Sequence, residues 1–254
     1  MRLGRRGSLA VAAAVAGTAV ILVVEVQLAR SGSRLSEREL VLDRSGTGKR
    51  LVWLGDSTAA GVGASDAAGA LPTQVADGLA RSGAAPVNGP GSGSGVSVAV
   101  LAVSGARVAD VLADQVPKVA GLRPDLVLIS VGANDTIHLT GRGAFRQTYE
   151  KVVRALPAGV RVVLLGVPDM GSIPRFAQPL RAVAGWRGRN LDAEVRRVAT
   201  ATGAVYVDIA GPTGPPFRRR PDRYFAADDF HPNDAGYGLW SDAVLKVLRN
   251  FGLP

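Results

Sequence analysis

Ser57 is the side chain whose type and setting most invite chemistry. It stands in Gly55-Asp56-Ser57, directly after the apolar run Leu51–Leu54, and small residues follow it. Such a run reads as a buried strand that stops at a tight turn and presents a hydroxyl at its C-terminal end. Open α/β sheets bind ligands at that edge. Gly-Asp-Ser is equally ordinary turn chemistry, so the serine needs partners. The chain holds only two histidines, His138 and His231, and no cysteine. His231 ends the segment Asp228-Asp229-Phe230-His231 and precedes Pro232, with two carboxylates close by in sequence. Two further segments follow apolar runs, Ser104-Gly105-Ala106-Arg107 and Gly132-Ala133-Asn134-Asp135. Taken singly, Gly105 reads as a turn glycine and Asn134 as a cap or Asx turn. Asp56 reads as a brace of its own turn.

The elements that must position these residues alternate in type. Strands are expected at Leu51–Leu54, Val96–Val103, Leu126–Val131, Val160–Leu165 and Val205–Ile209. Helices are expected from about Pro72 to Gly83, Val108 to Val119, Ala144 to Leu156, Leu180 to Thr202 and Pro232 to Asn250. The third strand is apolar apart from Ser130, as a strand covered on both faces should be. Strands alternating with helices imply a parallel sheet with right-handed crossovers, an α/β sandwich of about five strands. Ala84–Gly95 and Gly211–Arg223 read as loops, the latter carrying four prolines and leading straight into the histidine segment as a rim for substrate selection. Trp53, Trp186 and Trp240 read as core or packing residues, and His138 as a surface or supporting residue.

Together the four segments resemble the SGNH, or GDSL-type, serine hydrolases, whose marker residues are a Ser, a Gly, an Asn and a His in that order. The resemblance spans about residues 50 to 250 and implies a three-layer α/β/α fold of the flavodoxin-like kind. It maps the markers onto Ser57, Gly105, Asn134 and His231. The family's spacing puts the acid three residues before the histidine, at Asp228 in preference to Asp229. The implied chemistry is cofactor-free hydrolysis of an ester or thioester. Ser57 attacks the carbonyl, His231 carries the proton and Asp228 fixes the histidine tautomer. The oxyanion hole would be the backbone N–H groups of Ser57 and Gly105 with the side-chain amide of Asn134.

Composition limits the alternatives. Hydrophobic residues make up 47% and charged residues 20%, which is a folded composition. Without cysteine there is no disulfide, thiolate nucleophile or cysteine–zinc site, and two histidines make a multi-histidine metal site unexpected. The net charge of +9 is spread along the chain as scattered arginines, and aromatics are only 5%. A nucleic-acid partner is therefore not expected, and the resemblance implies no cofactor. Arg2, Arg5 and Arg6 precede an apolar stretch, Leu9–Val24, ended by Glu25 and Gln27. Residues 1–30 thus read as an N-terminal membrane anchor or a signal segment, 31–49 as a polar linker and 50–254 as the hydrolase domain. That arrangement implies a protein anchored on the outer face of the cell membrane, or a secreted one. The substrate class expected is a small-molecule, lipid or acylated-glycan ester. Transfer of the acyl group to another alcohol, or a non-catalytic envelope-binding module on the same fold, are the competing readings.

Overall fold

The computed structural model describes residues 49–81 and 96–250. The expected N-terminal segment, most of the linker and the loop Ala84–Gly95 lie outside these residues. The described chain begins with β1 (Arg50–Gly55), helix α1 (Leu71–Arg81) and β2 (Ser97–Val100). Helix α2 starts at Val108–Asp110, passes through a π turn at Val111–Gln115 and ends as Val116–Leu122. Then come β3 (Leu126–Ser130), α3 (Ala133–Ile137), α4 (Arg142–Arg154), β4 (Arg161–Leu165) and a 3-10 turn at Met170–Ser172. The last elements are α5 (Leu180–Thr202), β5 (Val205–Val207), α6 (Ala210–Arg219), α7 (Pro221–Tyr224) and α8 (Asp234–Asn250).

The five strands are parallel and ordered β2-β1-β3-β4-β5, the flavodoxin-like order, in which the reversal at β1 and β3 opens a ligand crevice. Helices cover both faces: α1 packs with α8, while α2, α4 and α5 pack together. The apolar runs explain the centre. Every residue of β3 is buried, as are Leu51–Leu54 of β1 and Val163–Leu165 of β4. Gly55, Ser130 and Leu165 lie level across β1, β3 and β4, so the segments that follow these strands emerge side by side at one edge.

Several expected boundaries move for identifiable reasons. β2 ends at Val100, although Leu101 and Val103 still donate to Trp53 and Gly55 of β1. β5 ends at Val207 because the Asp208 carboxylate accepts the Gly211 N–H at 2.8 Å and starts a helix there. The proline-rich stretch expected as a loop is instead the helices α6 and α7. Pro212 falls in the first turn, where no donor is needed, and Pro221 opens α7. Pro215 and Pro216 each remove a helical donor, yet the turn still buries Thr213 and Phe217. Helix α8 begins after Pro232 because Asn233 caps it, accepting the Gly236 N–H at 3.0 Å. Of the tryptophans, Trp53 and Trp240 are buried, but Trp186 is 59% exposed on α5 and is no core residue.

Candidate active site

The turn that carries Ser57 is built on Gly55. Its φ is +142°, and a Cβ there would run into the Ser130 carbonyl, so only glycine fits. Both backbone groups of Gly55 are held by one side chain. Gln115 donates from Nε2 to the Gly55 carbonyl and accepts the Gly55 N–H on Oε1, each at 2.8 Å. The π turn of α2 ends on this buried glutamine, a role that no pattern in the sequence advertises.

Asp56 then braces the turn. Its N–H donates to the Ser130 carbonyl, and its Oδ1 accepts the Thr58 N–H and hydroxyl at 3.0 and 2.8 Å. The Thr58 hydroxyl also meets the Ser130 hydroxyl at 2.9 Å, joining β1 to β3. Burial pushes the Asp56 carboxyl up to about 6, against the pull of the two Thr58 hydrogen bonds. This aspartate points into its own turn and away from the role of catalytic acid.

Ser57 faces His231 across the edge of the sheet. Its Oγ lies 3.0 Å from His231 Nε2, and His231 Nδ1 lies 2.6 Å from Asp228 Oδ2. The other carboxylate oxygen, Oδ1, accepts the N–H groups of Phe230 and His231, both at 3.0 Å. Burial raises the Asp228 carboxyl, but the His231 ring and these two N–H groups outweigh it and hold it below the usual carboxylate range. Arg175 adds a cation 3.9 Å from the same Oδ2, and its N–H holds the Asp229 carbonyl at 3.1 Å. Asp229, the competing acid, takes a positive φ of 54° and an exposed position at the tip of the turn.

Two fastenings hold the serine and histidine loops in register. Tyr237 of α8 donates its hydroxyl to the Val62 carbonyl at 2.5 Å. Asp234 accepts both the N–H and the hydroxyl of Ser65. The Phe225–Pro232 bridge and the bond from Ala226 N–H to the His231 carbonyl close the histidine loop itself.

The other two segments meet beside Ser57. Gly105 has φ +81°, with no atom within 4 Å of where a Cβ would stand, so backbone conformation and not space requires glycine. Asn134, in the first turn of α3, donates from Nδ2 to the Ala106 carbonyl at 3.1 Å and ties the β3 segment to the β2 segment. Asp135 fastens the same junction by accepting the Val108 N–H at 3.0 Å. His138 lies away from the relay. Its ring Nδ1 is 2.9 Å from the Asn134 carbonyl, at the exposed end of α3. Among the described residues no group of three or more metal-ligating side chains is found.

A cleft of about 520 Å³, counted to its open mouth, begins at Ser57, Asn134 and His231. It continues between the segment after β4 and the helices α6 and α8. In the sequence the prolines of α6 read as loop and assign it only a place at the rim.

The sequence and the fold have counterparts among known proteins. Residues 53–239 match the GDSL-like Lipase/Acylhydrolase family model. A GDSL-like esterase of Mycobacterium tuberculosis is 34% identical over 202 residues, covering 79% of this chain and 62% of that protein's length. The lipase/acylhydrolase from Enterococcus faecalis shares the fold with a TM-score of 0.63 at 22% identity, over 80% of this chain and 96% of its own. An acetylxylan esterase from Geobacillus stearothermophilus does so with a TM-score of 0.57 at 22% identity, over 83% and 97%. With the matched model spanning the strands, the serine turn and the histidine loop, this chain belongs to the GDSL-like lipase/acylhydrolase family.

Proposed function

We propose that the protein is a serine esterase that hydrolyses carboxylic esters through Ser57, His231 and Asp228. The observation that carries this reading is the unbroken relay from Ser57 Oγ to His231 to Asp228, with spans of 3.0 and 2.6 Å. Asp228 Oδ2 accepts the Nδ1–H of a neutral imidazole, which leaves Nε2 free to accept the serine proton. Ser57 Oγ attacks the ester carbonyl carbon while His231 takes its proton. Asp228, kept ionised by its three hydrogen bonds, stabilises the imidazolium. The tetrahedral intermediate collapses as His231 protonates the leaving alcohol. Water then attacks the acyl–serine ester with His231 as base, releasing the acid and restoring Ser57.

The developing oxyanion needs donors. The N–H groups of Ser57 and Gly105 and the second Nδ2 hydrogen of Asn134 fill that role, and one such donor is typically worth about 10²–10³-fold in rate. An N-terminal anchor would put the domain at the outer membrane surface, among lipid and acylated-glycan esters, and these are the substrates we propose for it. Names among the relatives, an acetylxylan esterase and a lipase/acylhydrolase, agree with an ester substrate.

The test is hydrolysis of p-nitrophenyl butyrate by wild type and Ser57→Ala. The variant is expected to lose at least about 10³-fold in kcat. Retained activity in the folded variant overturns the assignment of the nucleophile.

A further inference from the structure

Three large apolar side chains stand exposed among the described residues: Val103 at 55%, Leu139 at 66% and Trp186 at 59%. All three belong to the edge of the sheet that carries Ser57, Gly105 and Asn134. Val103 continues β2 and donates its N–H to the Gly55 carbonyl at 3.2 Å. The Val103 carbonyl holds the Ala106 N–H, and the Ala106 carbonyl accepts the Asn134 amide. Leu139 lies in the turn that follows α3. Trp186 stands near the start of α5, and its neighbour Arg187 grips the Leu139 turn, donating to the Thr136 and Thr140 carbonyls at 3.1 and 3.0 Å. Leu139 has φ +58°, a left-handed conformation that glycine or asparagine takes with less strain. A leucine there strains the backbone while its side chain stays in water.

The setting of this patch is cationic. The first half of α5, Leu180–Leu191, holds Arg181, Arg187 and Arg189 and no carboxylate. Arg181 and Arg187 donate to main-chain carbonyls, which leaves their charge uncancelled. Arg189 is exposed and lies three residues beyond Trp186, on the same side of the helix. The next acids of α5, Asp192 and Glu194, pair with Arg196 and with Arg142 and Arg197. Beside Val103, Arg107 and Asp110 offset one another at 3.6 Å. The opposite edge gathers Lys49, Arg123 and Arg161 with Asp125, but exposes no large apolar side chain among the described residues.

We propose that the edge bearing Val103, Leu139 and Trp186 docks on an anionic bilayer surface, with the arginines of α5 at the lipid phosphates. An indole settles at headgroup level, flanking aliphatic groups enter the acyl boundary, and cations meet the negative surface. The serine site, on the same edge, then opens toward the headgroups. A second copy docked through the same face would set these arginines against their own kind. The N-terminal stretch permits the orientation. Residues 31–49 reach up to about 60 Å when extended, against roughly 40 Å for the breadth of a domain of this size. The proposal goes beyond ester hydrolysis and does not require Ser57 to react.

Trp186 is its own reporter, since Trp53 and Trp240, the other two tryptophans, are buried. The experiment records tryptophan emission and acrylamide quenching of the full chain with two kinds of vesicle. One is phosphatidylcholine alone, and the other contains about a third phosphatidylglycerol. On the anionic vesicles the emission is expected to shift to the blue and quenching to fall at least about threefold, and about 1 M salt is expected to reverse most of the change. Trp186→Phe is expected to remove the response and Ser57→Ala to leave it intact. Arg189→Glu, worth on the order of 30-fold in surface affinity, is expected to move the salt midpoint lower. Leu139→Asp, which the left-handed backbone accommodates, is expected to abolish the shift in a protein that still folds.

Emission and quenching that stay unchanged on anionic vesicles overturn the proposal, even where the protein cosediments with them through another segment. An equal response on phosphatidylcholine alone overturns it too. So does protection of Trp186 that rises with protein concentration without lipid, the mark of a second copy on this face.

Discussion

Replacing Asp56 by Asn should stabilise the protein, and by an amount that depends on pH in a defined way. The carboxyl is 1% exposed and ionises at about 6, against 3.8 in a free chain. The shift of roughly two units corresponds to about 3 kcal/mol of penalty for carrying the charge in the folded state. Below about pH 4 both folded and unfolded forms hold the proton, and the penalty vanishes. Between about 4 and 6 the folded state keeps a proton that the unfolded chain has released, so stability falls as the pH rises. Above 6 the full penalty is present. Asn carries no charge at any of these values, and its side-chain oxygen can still accept the two Thr58 bonds. The advantage of the variant over wild type should therefore grow by about 3 kcal/mol from pH 4 to pH 8. Urea unfolding followed by tryptophan fluorescence at one-unit intervals reads this directly. A stability difference that stays flat from pH 4 to pH 8 refutes the buried charge.

Two further perturbations address the relay and its support. Asp228→Asn should lower kcat by about 10³–10⁴-fold, because the amide can hold the wrong histidine tautomer, while Asp229→Asn stays within about threefold. Ester hydrolysis at fixed pH compares them, and the reverse order moves the acid to Asp229. Gln115→Leu leaves the Gly55 N–H without its partner and the Gly55 carbonyl with only the Val103 N–H, and should cost about 1–3 kcal/mol in urea unfolding. A loss below about 0.5 kcal/mol would mean that the glutamine does not hold the serine turn.

The sheet was legible in the sequence because strands buried on both faces are written as unbroken apolar runs. Leu126–Ile129 and Val163–Leu165 are examples, and helix α5 falls on its expected bounds. The segments carrying Ser57, Gly105 and Asn134 could be found because each follows a strand, and parallel topology brings strand ends together. Features that depend on one long-range contact were not legible. Gln115 reaches Gly55 across 60 positions and Tyr237 reaches Val62 across 175, and neither residue type signals its partner. The prolines of α6 misled for a physical reason: proline forbids an interior donor, but it is welcome in a first turn, and burial of Phe217 holds the rest. The interior of the cleft was hidden with it. Trp186 shows the converse, a large apolar residue on a helix that faces water.

The most direct test of the relay is covalent. A fluorophosphonate reacts with a serine only when a neighbouring base activates it. Incubation of the folded protein with such a reagent, followed by peptide mass spectrometry, is expected to place a single adduct on Ser57, and His231→Ala is expected to abolish it. An adduct on a different serine, or none on a folded wild-type protein, contradicts the assignment of Ser57, His231 and Asp228.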